Sequence, residues 1–180
     1  MIQIKNSEQI SAMKEAGRIT AEALLIAQEN VREGVSTKHL DKLIREHFEK
    51  CGAKPSFLHY GGFPASACIS INDEVIHGIP SNSRVLREGD IVKIDVGAFK
   101  NGFHGDSART FPVGKVSDEA LKLIEVTEQS FREGLKQLKP GNRLGDVGHA
   151  IDAYVRQYGF STVKRYVGHG VGHDLHESPD

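Results

Sequence analysis

Apolar positions in the first part of the chain recur at helical spacing. A helix is predicted from Asn6 or Ser7, either of which can cap it, to about residue 30, with Ile10, Met13, Ile19, Leu24 and Ala27 on its inner stripe. Gly34 and Ser36 interrupt, and a second helix carries Leu40, Leu43, Ile44 and Phe48 before Gly52 stops it. Between residues 55 and 80 the pattern shortens to β-prone runs, SFLHY, ACISIN and EVIHG, broken by Gly61, Gly62, Pro64 and Asn72. Residues 90–111, DIVKIDVGAFKNGFHGDSARTF, place two apolar segments around Asn101-Gly102, a step that favours a two-residue hairpin turn. A third helix is predicted over about 117–138, stopped by Pro140-Gly141, and a fourth over about 144–158, ended by Gly159.

The order of elements contains a repeat. A shift of 107 residues lays Gly34 on Gly141, Leu40 on Val147, Ile44 on Ile151, Phe48 on Val155 and Gly52 on Gly159. Two copies of a helix-helix-strands unit predict an α+β fold over residues 1–180, in halves of about 1–113 and 114–180. Its mostly antiparallel sheet would be backed by two helix pairs, with a pseudo-twofold axis between the halves. The second copy of the carboxylate hairpin would fall beyond residue 180, so the expected fold lacks the last part of its second half.

The hairpin carries the candidate chemistry. With a two-residue turn Lys100 pairs with Phe103 and Asp95 with Ala108, which puts Asp95 and Asp106 on one face as diagonal neighbours about 7–8 Å apart at the backbone. A three-residue loop would reverse the parity. Two carboxylates held together repel, and a divalent cation or a pair of them removes the conflict. Ile91, Val92, Ile94 and Val96 suggest burial on both faces of the strand, and Gly97, Gly102 and Gly105 suggest that something approaches the backbone closely. Two solvated acids on an exposed face are the alternative on this geometry alone.

Asp95, Asp106 and His169 make a ligand set suited to Mn²⁺, Fe²⁺, Co²⁺ or Zn²⁺. His169 stands in the glycine-rich run YVGHGVGHDLHES. His173 and His176 share a face there only if the segment is helical; in an extended chain His176 would lie opposite His169 and His173. His77, in EVIHGIP, is expected on a loop facing the site. His104 is expected to turn away from Asp106, and His39, His47 and His149 to be solvated on helices.

Composition narrows the classes. The formal charge of −1 gives no support for a nucleic-acid or acidic-membrane partner. No apolar signal core or membrane span is present in the sequence, and the two cysteines, Cys51 and Cys68, suit reduced thiols in a cytoplasmic protein.

VIHGIP, IVKIDVGAFKNGFHGDSART and GHGVGHDLHE, in that order and at these separations, resemble the type I methionine aminopeptidases. The resemblance covers the chain from the first helix to the end. It implies the pita-bread fold and a cytoplasmic metallohydrolase that removes the initiator methionine from nascent chains with a small second residue. It implies two divalent ions, with Asp95 on one, Asp106 bridging, and His169 on the other. His77 and His176 would hydrogen-bond the scissile peptide, and Phe57, Tyr60, Phe63, Cys68 and Leu175 would line the methionine pocket. The expected partner is the N-terminus of a nascent polypeptide, with the ribosome as a further candidate, and the expected state is a monomer without membrane contact. The family's two remaining metal ligands, both glutamates, fall beyond residue 180, and Ser178 replaces the second glutamate of an HEE segment. Incomplete metal binding and weak activity of the 180-residue chain are therefore expected. The competing readings are a related dinuclear X-Pro peptidase and a non-catalytic pita-bread binding module.

Overall fold

The computed structural model describes residues 2–179. They form two compact units, one of residues 2–116 with 168–179 and one of residues 117–167.

The first unit opens with α1 (Ser7–Asn30). The Asn6 side chain accepts from Gln9 N at 2.9 Å and the Gln9 side chain answers to Asn6 N, so two free donors are satisfied reciprocally. Ile19, Leu24 and Ala27 are buried as the spacing predicts. Ile10, by contrast, is exposed, because the buried stripe begins a turn and a half later at Ala16. In α2 (Thr37–Lys50), capped by Ser36, Leu40, Ile44 and Phe48 are wholly buried. His39 is exposed, but the His47 side chain is only 14% exposed and faces Glu22 of α1, so it is not the solvated group expected.

Four strands follow: β1 (Lys54–Pro55), β2 (Ala67–Ile71), β3 (Ile91–Lys100) and β4 (Phe103–Pro112). β3 is central and every pairing is antiparallel, with β1 and β2 along one edge and β4 along the other. Val92, Ile94, Val96 and Ala98 point into the core beneath α1 and α2 and are fully buried, while Ile91, Lys93 and Asp95 on the opposite face are half-buried. Only one face of β3 is therefore sealed.

Two predicted strand regions take other forms. SFLHY turns into a 3₁₀ helix at Tyr60–Gly62, where His59 and Gly61 have positive φ and reverse the chain. EVIHG is a loop of mostly exposed residues. Positive φ at Asn72 ends β2, and the His77–Gly78 step meets it again, Ile69 N donating to Gly78 O at 2.8 Å and Gly78 N to Ser70 Oγ at 3.0 Å.

The second unit holds α3 (Asp118–Leu135), capped by Ser117, and α4 (Leu144–Arg156). They start as predicted and end two or three residues early. The helices meet closely at Gly134, where an added Cβ would lie 2.8 Å from Ile151 Cγ1. Among the described residues no helix is long and apolar enough to cross a membrane.

Candidate active site

The two carboxylates are placed by the turn between β3 and β4. Asn101 and Gly102 have φ of 52° and 83°, as a two-residue hairpin matched to the twist of its strands requires. Lys100 pairs with Phe103, Asp95 with Ala108 and Gly97 with Asp106, so Asp95 and Asp106 rise from one face as the sequence predicts. The glycines beside them serve the protein's own packing. A Cβ at Gly97 would lie 2.9 Å from the Phe57 ring, and one at Gly105 would lie 2.7 Å from the Ala16 backbone of α1.

The carboxyls are hydrogen-bonded to each other, and both titrate above the ordinary range. For Asp95, burial is the main cause and the Asp106 charge the next, together raising it to about 7. Asp106 is also raised by burial, against the opposing pull of the His169 and His176 rings. Beside them Cys68, paired with Asp95 across β2 and β3, has its thiol pushed up to about 12 by burial and by both aspartates. This is a pocket that disfavours uncompensated negative charge.

The imidazoles come from residues 168–179, which fold back along the outer edge of β4. His104 N donates to Gly172 O at 2.8 Å, and a narrow loop closes where Glu177 N donates to Gly170 O at 2.9 Å. His169 Nε2 thereby lies 3.8 Å from Asp106 Oδ2. Asp106 is the member common to both pairs, with Asp95 on one side and His169 on the other. Two carboxylates and an imidazole, hard and borderline donors in a partly buried pocket, fit a divalent metal.

His176 is on the same side as His169, their ring centroids 4.1 Å apart. Neither helix nor extended strand achieves this; the tight loop between them does. His176 also stacks on Tyr60 at 5.3 Å, its Nδ1 3.0 Å from the phenolic oxygen. His173 instead packs at a tilt against Phe103, ring centroids 4.1 Å apart, with its Nδ1 2.9 Å from Gly102 O, and so braces the loop against the hairpin turn. His77 is exposed with φ of 62°, and its backbone N–H donates to the Cys68 sulfur.

Phe57, Cys68 and Leu175 form a small buried apolar cluster separate from the main core, with Phe63 packed against it. Tyr60 is half-exposed at 50%. His104 is the residue the sequence reading misplaces. Standing two before Asp106, it shares that face, where it packs on Phe99 and its Nδ1 lies 2.8 Å from Ser56 Oγ. Strand parity alone would have found it.

Paired carboxylates on a hairpin, answered by an imidazole from a distant loop, make this a metal-dependent type of site, and similarity to known proteins agrees. The chain matches metallopeptidase family M24 over residues 11–180. It is 51% identical over 180 residues to the methionine aminopeptidase of Clostridium acetobutylicum, covering all of this chain and 72% of that protein. Methionine aminopeptidase 1 of Bacillus subtilis is 51% identical over 179 residues, again with 72% of its length covered. The crystal structure of the Thermotoga maritima methionine aminopeptidase superposes with a TM-score of 0.97 at 42% identity, over 99% of this chain and 72% of that one. The prolidase of Pyrococcus furiosus superposes with a TM-score of 0.86 at 26% identity, covering 98% of this chain and 51% of that one. The chain belongs to metallopeptidase family M24, within the type I methionine aminopeptidases, and carries part of their α+β, pita-bread-like fold. Family membership implies a metal cofactor.

Proposed function

We propose that this metallopeptidase removes the initiator methionine from nascent polypeptides and peptides whose second residue is small. The observation that carries the reading is Asp106 set between Asp95 and His169 in a chain half identical to methionine aminopeptidases. Asp95, Asp106 and His169 would hold two divalent ions of the Mn, Fe, Co or Zn type, with Asp106 shared between them. Ions bound there supply Lewis acidity toward the scissile carbonyl and lower the proton affinity of the attacking water.

The chain's own residues position the substrate. The apolar wall of Phe57, Phe63, Cys68 and Leu175, with the Tyr60 ring at its rim, takes the methionine side chain, and the neutral Cys68 thiol keeps that wall uncharged. His176, oriented by the Tyr60 hydroxyl, and His77 from its exposed loop hydrogen-bond the peptide's nitrogen or carbonyl oxygen and steady the tetrahedral intermediate. We propose that the protein works in the cytoplasm, at or near the ribosome, as a monomer. The repeat of helix pairs, α1–α2 and α3–α4, supports a duplicated helix-helix unit. An X-Pro peptidase reading is set aside on identity, 26% to the prolidase against 51% to the methionine enzymes.

The test is free methionine released from a Met-Ala-Ser peptide with added Mn²⁺ or Co²⁺. Metal-dependent release is expected, lowered more than about 100-fold by Asp106→Asn. Release that survives chelation, or that Asp106→Asn leaves intact, would overturn the reading.

A further inference from the structure

A second group of metal-binding side chains lies where α1 meets α2. His47 and Cys51 are four residues apart, one turn along α2 and its cap, so both face the same way. Glu22 reaches them from α1. Its Oε2 lies 3.5 Å from His47 Nε2, and Cys51 Sγ lies 3.7 Å from the same nitrogen. One donor atom from each of the three lies within 4.8 Å of both others.

These separations are close to those of a coordination shell. With metal–nitrogen and metal–oxygen bonds of about 2.0–2.1 Å and a metal–sulfur bond of about 2.3 Å, the edges of a tetrahedron are about 3.3–3.6 Å. The donors therefore need only side-chain adjustments to close on an ion. Arg18 bonds the other oxygen, Glu22 Oε1, which leaves Oε2 to face the gap. All three residues are half-buried, and Cys51 is a free thiol. Without an ion, an ion pair joins Glu22 to His47 and a thiol–imidazole hydrogen bond joins Cys51 to the same nitrogen, so His47 Nε2 is the point on which both other donors converge.

We propose that Glu22, His47 and Cys51 form a separate metal site for a borderline divalent ion such as Zn²⁺ or Co²⁺, with a fourth position open to water. On binding, the Cys51 thiol releases its proton to solvent, so the ion's two positive charges meet a carboxylate and a thiolate. The bound ion ties α1 to α2. Because α1 packs on both β3 and β4, occupancy stabilises the support of the carboxylate hairpin without touching it.

The test is titration of the 180-residue chain with Co²⁺, read by the sulfur-to-cobalt charge-transfer absorption that carboxylates and imidazoles do not give. The band should saturate with a single ion, in the wild type and equally in the Asp95→Asn/Asp106→Asn double variant, which separates it from the peptidase centre. Cys51→Ser should abolish it, His47→Ala and Glu22→Gln should weaken Co²⁺ binding at least ~10-fold, and Cys68→Ser should leave it intact. Zn²⁺ should displace the band and raise the melting temperature of the wild type more than that of Cys51→Ser. Absence of the band in the wild type, its persistence in Cys51→Ser, or its loss in Cys68→Ser would overturn the proposal.

Discussion

At the scale of single residues, the Asp95 carboxyl couples the site to stability. Its folded value of about 7 stands above the unfolded value of about 3.9, so the folded chain binds that proton more tightly than the unfolded chain. In the metal-free protein the contribution is fully present below about pH 4 and declines as pH rises toward 7. Urea unfolding in the presence of a chelator should show this decline, and Asp95→Asn should flatten it relative to the wild type. The opposite pH trend in the difference between the two proteins would contradict the assignment. Much of this was legible beforehand, because the Asn101-Gly102 step set the parity of Asp95 and Asp106. Gly97 and Gly105 were read correctly as points of close approach, whereas Gly102 has nothing within 4 Å of an added Cβ and serves the turn through its positive φ. Which groups approach could not be read, since Phe57 and the Ala16 backbone arrive from elsewhere in the chain.

At the scale of elements, the hairpin is held from behind by the close seating of α1 on β4. A Cβ at residue 105 would stand 2.7 Å from the Ala16 carbonyl carbon and 2.8 Å from its oxygen, both backbone atoms that cannot swing aside. Gly105→Ala should therefore cost about 1–3 kcal/mol in chemical denaturation, with the helix displaced and methionine release reduced alongside. Helices and their caps were readable because spacing and capping residues are local. SFLHY and EVIHG were misread as strands because their β-prone residues are outweighed by positive φ at His59, Asn72 and His77. The pairing of His169 with His176 was equally hidden, since it depends on a loop closed by backbone bonds that leave no periodic trace.

At the scale of the whole molecule, the first unit is closed by residues 168–179, and a side chain from the start of the chain fastens them. Lys5 Nζ meets Glu177 Oε1 at 2.5 Å, with side chains only 12% and 10% exposed, and Glu177 Oε2 is buried with no hydrogen bond. Lys5→Met would strand that carboxylate and should cost about 3–5 kcal/mol, read as a fall in melting temperature together with lower methionine release. A variant as stable and as active as the wild type would show the tie to be dispensable. No sequence pattern announced this pairing, whose members stand 172 residues apart. That separation also sets a timetable. As the chain is synthesised from its N-terminus, the two aspartates are made first, the helices of the second unit come next, and His169 follows 63 residues after Asp106. At about 5–20 residues per second the interval is roughly 3–13 seconds, during which the hairpin holds its carboxylates without their imidazole. The hairpin's acids must therefore wait in a nascent chain for the group that answers them.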